Sequence, residues 1–333
     1  MKKIAVAIFR SRRLLAAIVF LMLACGTPSE ARCANLWISF WGGGIESYTP
    51  GQLAKSGMPT PIDLNTFGNV TGLAFDKSHN LWAVIDIDEV VRFTAKQLKD
   101  LKHDPSPTPG VIITSTSTFS DIIGCNFDHQ GNLWVADVLN GSIDELSKAQ
   151  LAAGSGDVTP HVVITFSGLN PDFVTFDNAG NAWVDSVVNN QIAEFSANQL
   201  TSGGSKTPKV LLSDDGSGTS LDVPGEIAFD KKGDLWVSNW PADTVVEYAK
   251  DQLTSSGNPA PMVKLSSAIF DAPWGIAFDT HGDLVVMNSY DEMIAKFTAK
   301  QLKVSGAPIP TVSVTAGAPP DTDIVQIIFG PAS

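Results

Sequence analysis

The sequence predicts an all-β chain, a six-bladed β-propeller of four-stranded antiparallel blades, and three observations predict it. A Phe-Asp pair recurs at Phe75-Asp76, Phe127-Asp128, Phe176-Asp177, Phe229-Asp230 and Phe278-Asp279, spaced 52, 49, 53 and 49 residues. A Gln-Leu dipeptide recurs at 52–53, 97–98, 150–151, 199–200, 252–253 and 301–302. The two ends of the chain carry complementary halves of one more unit. Self-similarity at this period marks units that cannot bury their apolar faces alone and stack on one another to do so.

The first element is a leader. Residues 1–13 are basic, residues 14–24 are an apolar run of eleven, and small or polar residues follow. That order describes an export signal, too short to span a bilayer as a mature helix. Two exits are open. Ser29-Glu30-Ala31 offers small residues for cleavage after Ala31, giving a signal of residues 1–31. Leu21-Met22-Leu23-Ala24-Cys25-Gly26 is similar to a lipobox, which would end the leader at residue 24 and leave a lipid on Cys25. Either way the chain is expected outside the cytoplasm, periplasmic or extracellular, free or tethered. No later stretch has the ~18 apolar residues of a membrane span.

Composition supports a folded domain from residue 35 to 333. The whole chain is 44% hydrophobic and 17% charged, which excludes a disordered polymer. Residues 1–34 hold six basic residues and one acidic, so the remainder carries 16 basic and 34 acidic, net −18, with Arg92 its single arginine. Nucleic acid is excluded as a partner, because a phosphate backbone wants clustered Lys and Arg. The domain is expected to be a monomer. Cys125, alone in an apolar stretch, reads as a small core residue.

Each unit holds four short runs rich in Val, Ile, Phe and Trp, which read as strands a to d of an antiparallel meander. After the Phe-Asp that ends strand a come Leu81-Trp82, Leu133-Trp134, Ala182-Trp183, Leu235-Trp236 and Leu284-Val285 in strand b. The a–b links, such as Asp128-His129-Gln130-Gly131-Asn132, place Gly where a hairpin loop needs positive φ. The Gln-Leu segments read as single helical turns with one apolar anchor, and the Ser-Gly stretches after them as surface loops. At the ends, Asn35-Leu36-Trp37-Ile38-Ser39 matches a strand b with no strand a before it, and Ile324-Val325-Gln326-Ile327-Ile328-Phe329 a strand a with nothing beyond. Pairing residues 324–329 with residues 35–40 closes the ring and removes its exposed edges.

The unit Pro224-Gly225-Glu226-Ile227-Ala228-Phe229-Asp230-Lys231-Lys232-Gly233-Asp234-Leu235-Trp236-Val237 resembles the repeats of NHL-type propellers, a resemblance that covers essentially the whole mature chain. It implies that strand a is innermost and that the d–a and b–c loops share the ligand-bearing face. On that face fall an acidic arc including Asp137, Asp172 and Asp185, and an aromatic arc of Trp41, Trp240, Trp274 and Tyr290. The aspartates also suit local turn capping. The four aromatics lie outside the repeat's packing positions, where such rings stack on sugars or anchor a partner's side chains.

The expected function is therefore an exported, non-catalytic binding module for a glycan, peptide or protein, with no obligatory cofactor and Ca²⁺ as an optional ion near the acids. One alternative is a divalent-metal-dependent hydrolase of the lactonase type. The resemblance implies oxygen ligands at the first residues of successive inner strands, but these positions are Thr71, Ile123, Asp172, Gly225, Trp274 and Val325, with one carboxylate among six. A rearranged site would use Asp172, Glu226 and Asn239. A further alternative is a surface scaffold with no small ligand. No His falls on the ligand face, and no HExxH, GxSxG, CxxC or phosphate loop is present.

Overall fold

The computed structural model describes residues 34–317, apart from 67 and 219, and residues 323–330. The leader, both of its cleavage options and Cys25 lie outside the described residues.

The Val-, Ile- and Trp-rich runs form six antiparallel meanders, and the innermost strands meet around a central axis. Blade 1 joins the two ends of the chain: Asp323–Gly330 is its inner strand, followed outward by Asn35–Trp41, Ile45–Tyr48 and Ile62–Leu64. The register runs from Asn35 opposite Gly330 to Trp41 opposite Asp323, with one irregularity between Ser39 and Phe40. The predicted closure is thus formed. The inner strands of blades 2 to 6 are Val70–Phe75, Ile122–Phe127, Pro171–Phe176, Pro224–Phe229 and Pro273–Phe278. No helix among the described residues is long and apolar enough to cross a membrane.

The repeated aromatics explain how the blades stack. The strand-b tryptophan of each of the first five blades packs on the strand-a phenylalanine of the next: Trp37 on Phe75, Trp82 on Phe127, Trp134 on Phe176, Trp183 on Phe229 and Trp236 on Phe278, with centroids 5.7–6.3 Å apart. Inclined pairs of this kind contribute about 0.5–1.5 kcal/mol each beyond their buried area. Blade 6 has Val285 at the tryptophan position, and it packs in one cluster with Phe329 across the seam. Three of the Phe-Asp aspartates, Asp76, Asp128 and Asp177, also hold the stacking tryptophan of their own blade. Asp76 accepts the N–H groups of Ser78 and Asn80 through one oxygen, and the Asn80 amide and the Trp82 indole through the other.

The Gln-Leu turns are clips. Leu53, Leu98, Leu151, Leu200, Leu253 and Leu302 are buried. Each glutamine donates its amide to a carbonyl 8–11 residues on, as Gln97 does to Thr108 and Gln301 to Ile309. The Ser-Gly stretches correct the sequence reading. In five of the six blades they are not free loops; they lie parallel against the outer strand of the preceding blade, as Gly156-Asp157 does against Ile113-Thr114. Ser155, Ser256, Ser305 and Ser56 each accept a backbone N–H from that neighbour. An outer strand is a sheet edge with unpaired N–H and C=O groups, and two residues suffice to satisfy it. So short a pairing has no alternation to read. The last clasp, Gly57 on Ser313 and Thr315, ties blade 1 to blade 6 and closes the ring a second time.

Candidate functional site

Each innermost strand is also a sheet edge, so N–H groups on its axial side need partners other than a strand. Buried side chains provide them. Glu226 accepts from Ile276 and Ile327 at 3.1 and 3.2 Å, Asp185 from Phe173 at 2.8 Å, and the Gln326 amide oxygen from Leu73. Burial outweighs these hydrogen bonds and raises Glu226 to about 8. Asp185 is raised well above the ordinary carboxylate range by burial and by Asp172 and Glu226 nearby. Burial along the axis therefore favours the protonated forms of Glu226 and Asp185.

Above them, on the face of the d–a and b–c loops, a cleft of about 420 Å³ opens. Its walls are Trp41, Trp240, Trp274 and Tyr290, with Ile123, Val325 and Ser289 between them and Asp172 among the lining residues. The aromatic arc thus converges on one space. Trp41 ends the second strand of blade 1 and is 42% exposed; Tyr290, in the b–c loop of blade 6, is 64% exposed. The two half-buried indoles are held in place. Trp240 donates to the Ser289 hydroxyl at 3.1 Å, and Ser289 donates in turn to the Ala272 carbonyl. Trp274 donates to the Val325 carbonyl at 3.1 Å, while its own carbonyl accepts from Ser238 at 2.6 Å. A Cβ at Gly225 would stand 3.0 Å from that carbonyl and 3.2 Å from the indole ring, so glycine lets Trp274 lie against the neighbouring inner strand.

The acidic arc does not converge. Asp137 is fully buried and caps its own loop, accepting from Ser120, Asp121 and Asn140. Asp86 accepts from Asn69 in the same manner. Asp185 lies beneath the cleft with one oxygen on Phe173 and the other without a hydrogen-bond partner. Asp172 alone of the arc lines the cleft; it is 6% exposed, and burial with the charge of Asp121 raises it to about 7. The residues of the lactonase alternative also stay apart in role. Asn239 is buried and spends its side chain on Asp222, Ser220 and Thr244, and Glu226 on two inner strands. Among the described residues no three His, Cys, Asp or Glu side chains are placed to hold a metal ion. Ser289 is the one polar wall residue the sequence reading missed; it follows an ordinary strand end, Asn288, and carries no motif.

No protein-family model matches the chain, and no curated protein matches it in sequence. Solved structures match its shape. A protein of unknown function from Bacteroides caccae is 11% identical, with 90% of this chain and all of the other aligned at a TM-score of 0.61. The nidogen–laminin complex contains a chain 14% identical, with 89% and 98% aligned at 0.60. A catalytically inactive virginiamycin B lyase from Staphylococcus aureus, with quinupristin, is 14% identical, with 82% and 84% aligned at 0.53. At such identities the likeness is one of fold. The chain is a six-bladed β-propeller, and its neighbours share that fold.

Proposed function

We propose that this chain is an exported, non-catalytic binding module whose ligand group enters the aromatic cleft between blades 5, 6 and 1. The observation that carries the reading is the convergence of Trp41, Trp240, Trp274 and Tyr290, all outside the repeated Trp–Phe stacking positions, on one open space. Two of the four are pinned by their indole N–H groups, so the apolar faces are organised before a ligand arrives. The volume lies at the lower end of the ~300–1,000 Å³ typical of ligand pockets, enough for one sugar ring or one or two side chains of a peptide or protein. One structural neighbour adds support: nidogen is seen in complex with laminin. Export rests on the leader, and a lipid on Cys25 would place the cleft at a membrane surface without a span.

Glycan and peptide arrays probed with the purified protein and with its Trp41→Ala/Tyr290→Ala variant test the reading. Capture of one ligand class by the wild type, lost in the variant at an unchanged melting temperature, is the expected result. Capture that the variant retains would move the site elsewhere.

A further inference from the structure

The walls and the floor of the cleft differ in what they offer a ligand. The walls are π faces with the exposed Tyr290 hydroxyl among them, and their buried hydrogen-bonding groups are already spent: the Trp240 indole on Ser289, the Trp274 indole on Val325 and the Ser289 hydroxyl on Ala272. Asp172 is the exception. Its carboxyl is 6% exposed, lines the cleft and has no hydrogen-bond partner among the described residues. It is faced by further acids from each side: Asp121 from the preceding loop, Asp185 from the adjoining strand, and Glu226 beyond Asp185. None of the ion pairs among the described residues involves any of the four.

From this arrangement we infer that the aromatic cleft takes an alkylated ammonium group, seated between the rings with Asp172 as its counter-ion. The inference rests on the binding reading above and names the chemistry of its ligand. A sugar would bring several hydroxyls into a space whose side chains leave free the Asp172 carboxyl and the Tyr290 hydroxyl, and each hydroxyl left unpaired would carry its full desolvation penalty. A neutral apolar group would satisfy the rings and leave a buried carboxyl with nothing to pair. A quaternary ammonium needs no hydrogen bonds. It wants the negative face of aromatic rings, tryptophan above all, and a nearby anion. Both are present here and nothing else is required.

The charge also gives the site a pH dependence of definite sign. Asp172 is raised to about 7, so below that pH the cation meets a protonated acid and binding must displace the proton. Affinity for a cation therefore rises with pH through about 7 and levels off above it. Affinity for an uncharged ligand stays flat or falls as the carboxyl ionises beside it.

The test is calorimetric titration of the full mature protein with choline, with trimethyllysine amide, and with 3,3-dimethylbutan-1-ol, the uncharged isostere of choline, at pH 5.5, 7 and 8.5. Either ammonium is expected to bind at least about tenfold tighter than the isostere at pH 8.5. That ratio should collapse at pH 5.5 and in Asp172→Asn, and Trp41→Ala should weaken every ligand. The ratio between the two ammonium probes separates a small free quaternary ammonium compound from a methylated peptide side chain. Equal binding of choline and its isostere overturns the inference while leaving the cleft a binding site. Binding of neither overturns it too, and the arrays then decide the broader reading alone. The melting temperature of each variant confirms that lost binding is not lost folding.

Discussion

The rings of Trp240 and Tyr290 meet edge to face, with centroids 5.7 Å apart and planes inclined at 69°. A loop of blade 5 and a loop of blade 6 thereby share one wall of the cleft. The two residues are held differently. Trp240 is half-buried and hydrogen-bonded to Ser289, whereas Tyr290 is 64% exposed with its ring toward solvent and cleft. An exposed tyrosine that braces nothing else is placed for something arriving from outside.

Alanine substitutions should separate these roles. Trp240→Ala removes a hydrogen-bonded indole between two blades and is expected to cost about 2 kcal/mol of stability. Tyr290→Ala loses only the edge-to-face contact and should stay within about 1 kcal/mol. Both should lose ligand binding. Urea unfolding of the two variants is the check, and a Tyr290→Ala protein as unstable as Trp240→Ala would make the tyrosine a structural prop.

Stability should favour mildly acidic buffer. Burial raises Glu226 to about 8, Asp172, Asp144 and Glu247 to about 7, and Glu46 to about 6. Native carboxyls of this kind keep protons that the unfolded chain releases above about pH 4, so the native state binds more protons and stability falls from about pH 4 until the native groups have ionised, at about 6 to 8. Asp214, lowered to about 2 by hydrogen bonds from Ser220 and the surrounding loop, works in the opposite sense. Its contribution is present above its ordinary value of 3.8 and is lost as pH falls through its native value. The optimum should lie near pH 4 to 5, with a melting temperature at pH 5 higher by at least about 5 °C than at pH 8.5. A curve rising steadily from pH 5 to 8.5 would contradict the protonation pattern of the axis.

Asp172 contributes to that slope, and removing it should expose the cost of keeping an acid in the cleft. A carboxyl raised from 3.8 to about 7 is destabilising once ionised. Each tenfold gain in its proton affinity on folding corresponds to about 1.4 kcal/mol. Asp172→Asn is therefore expected to stabilise the protein by about 2–4 kcal/mol at pH 8.5 and to change little at pH 4. Denaturant titrations at the two pH values measure this. Equal stability of variant and wild type at pH 8.5 would mean that the carboxyl is well solvated, contrary to its burial.

The fold was legible because its signals repeat. Trp82, Trp134, Trp183 and Trp236 follow their Phe-Asp pairs at one spacing, and five of the six blade interfaces use the same aromatic pair. The site was half legible. Trp41, Trp240, Trp274 and Tyr290 stood out because they break the repeat, and all four reach the cleft. The acids did not sort themselves. Asp137 and Asp172 are both aspartates on the ligand face, yet one caps its own loop and the other is left unbonded in the cleft. That difference depends on which N–H groups a loop leaves unpaired, a property of three-dimensional backbone geometry. The Ser-Gly clasps were hidden for a related reason: their serines bond partners 41–45 residues away along the chain, or 257 residues at the seam.

The seam permits the most direct structural prediction. Deleting residues 323–333 removes the inner strand of blade 1, and with it the partner of every residue from Asn35 to Ser39. It also removes Ile327, whose N–H is bonded to Glu226, and Gln326, whose amide oxygen holds Leu73. Two inner strands then lose an axial hydrogen-bond partner, Asn35–Trp41 becomes an open edge, and Val285 loses Phe329. The clasp of Gly57 on Ser313 and Thr315 survives the deletion but joins only the outer rim. Buried polar groups left without partners cost about 1–3 kcal/mol each, and an exposed edge invites pairing between chains. The truncated protein should lose its single cooperative melting transition and elute as aggregate or higher oligomer on size exclusion. A monomeric truncation melting within a few degrees of the full chain would show that the outer clasp alone closes the ring.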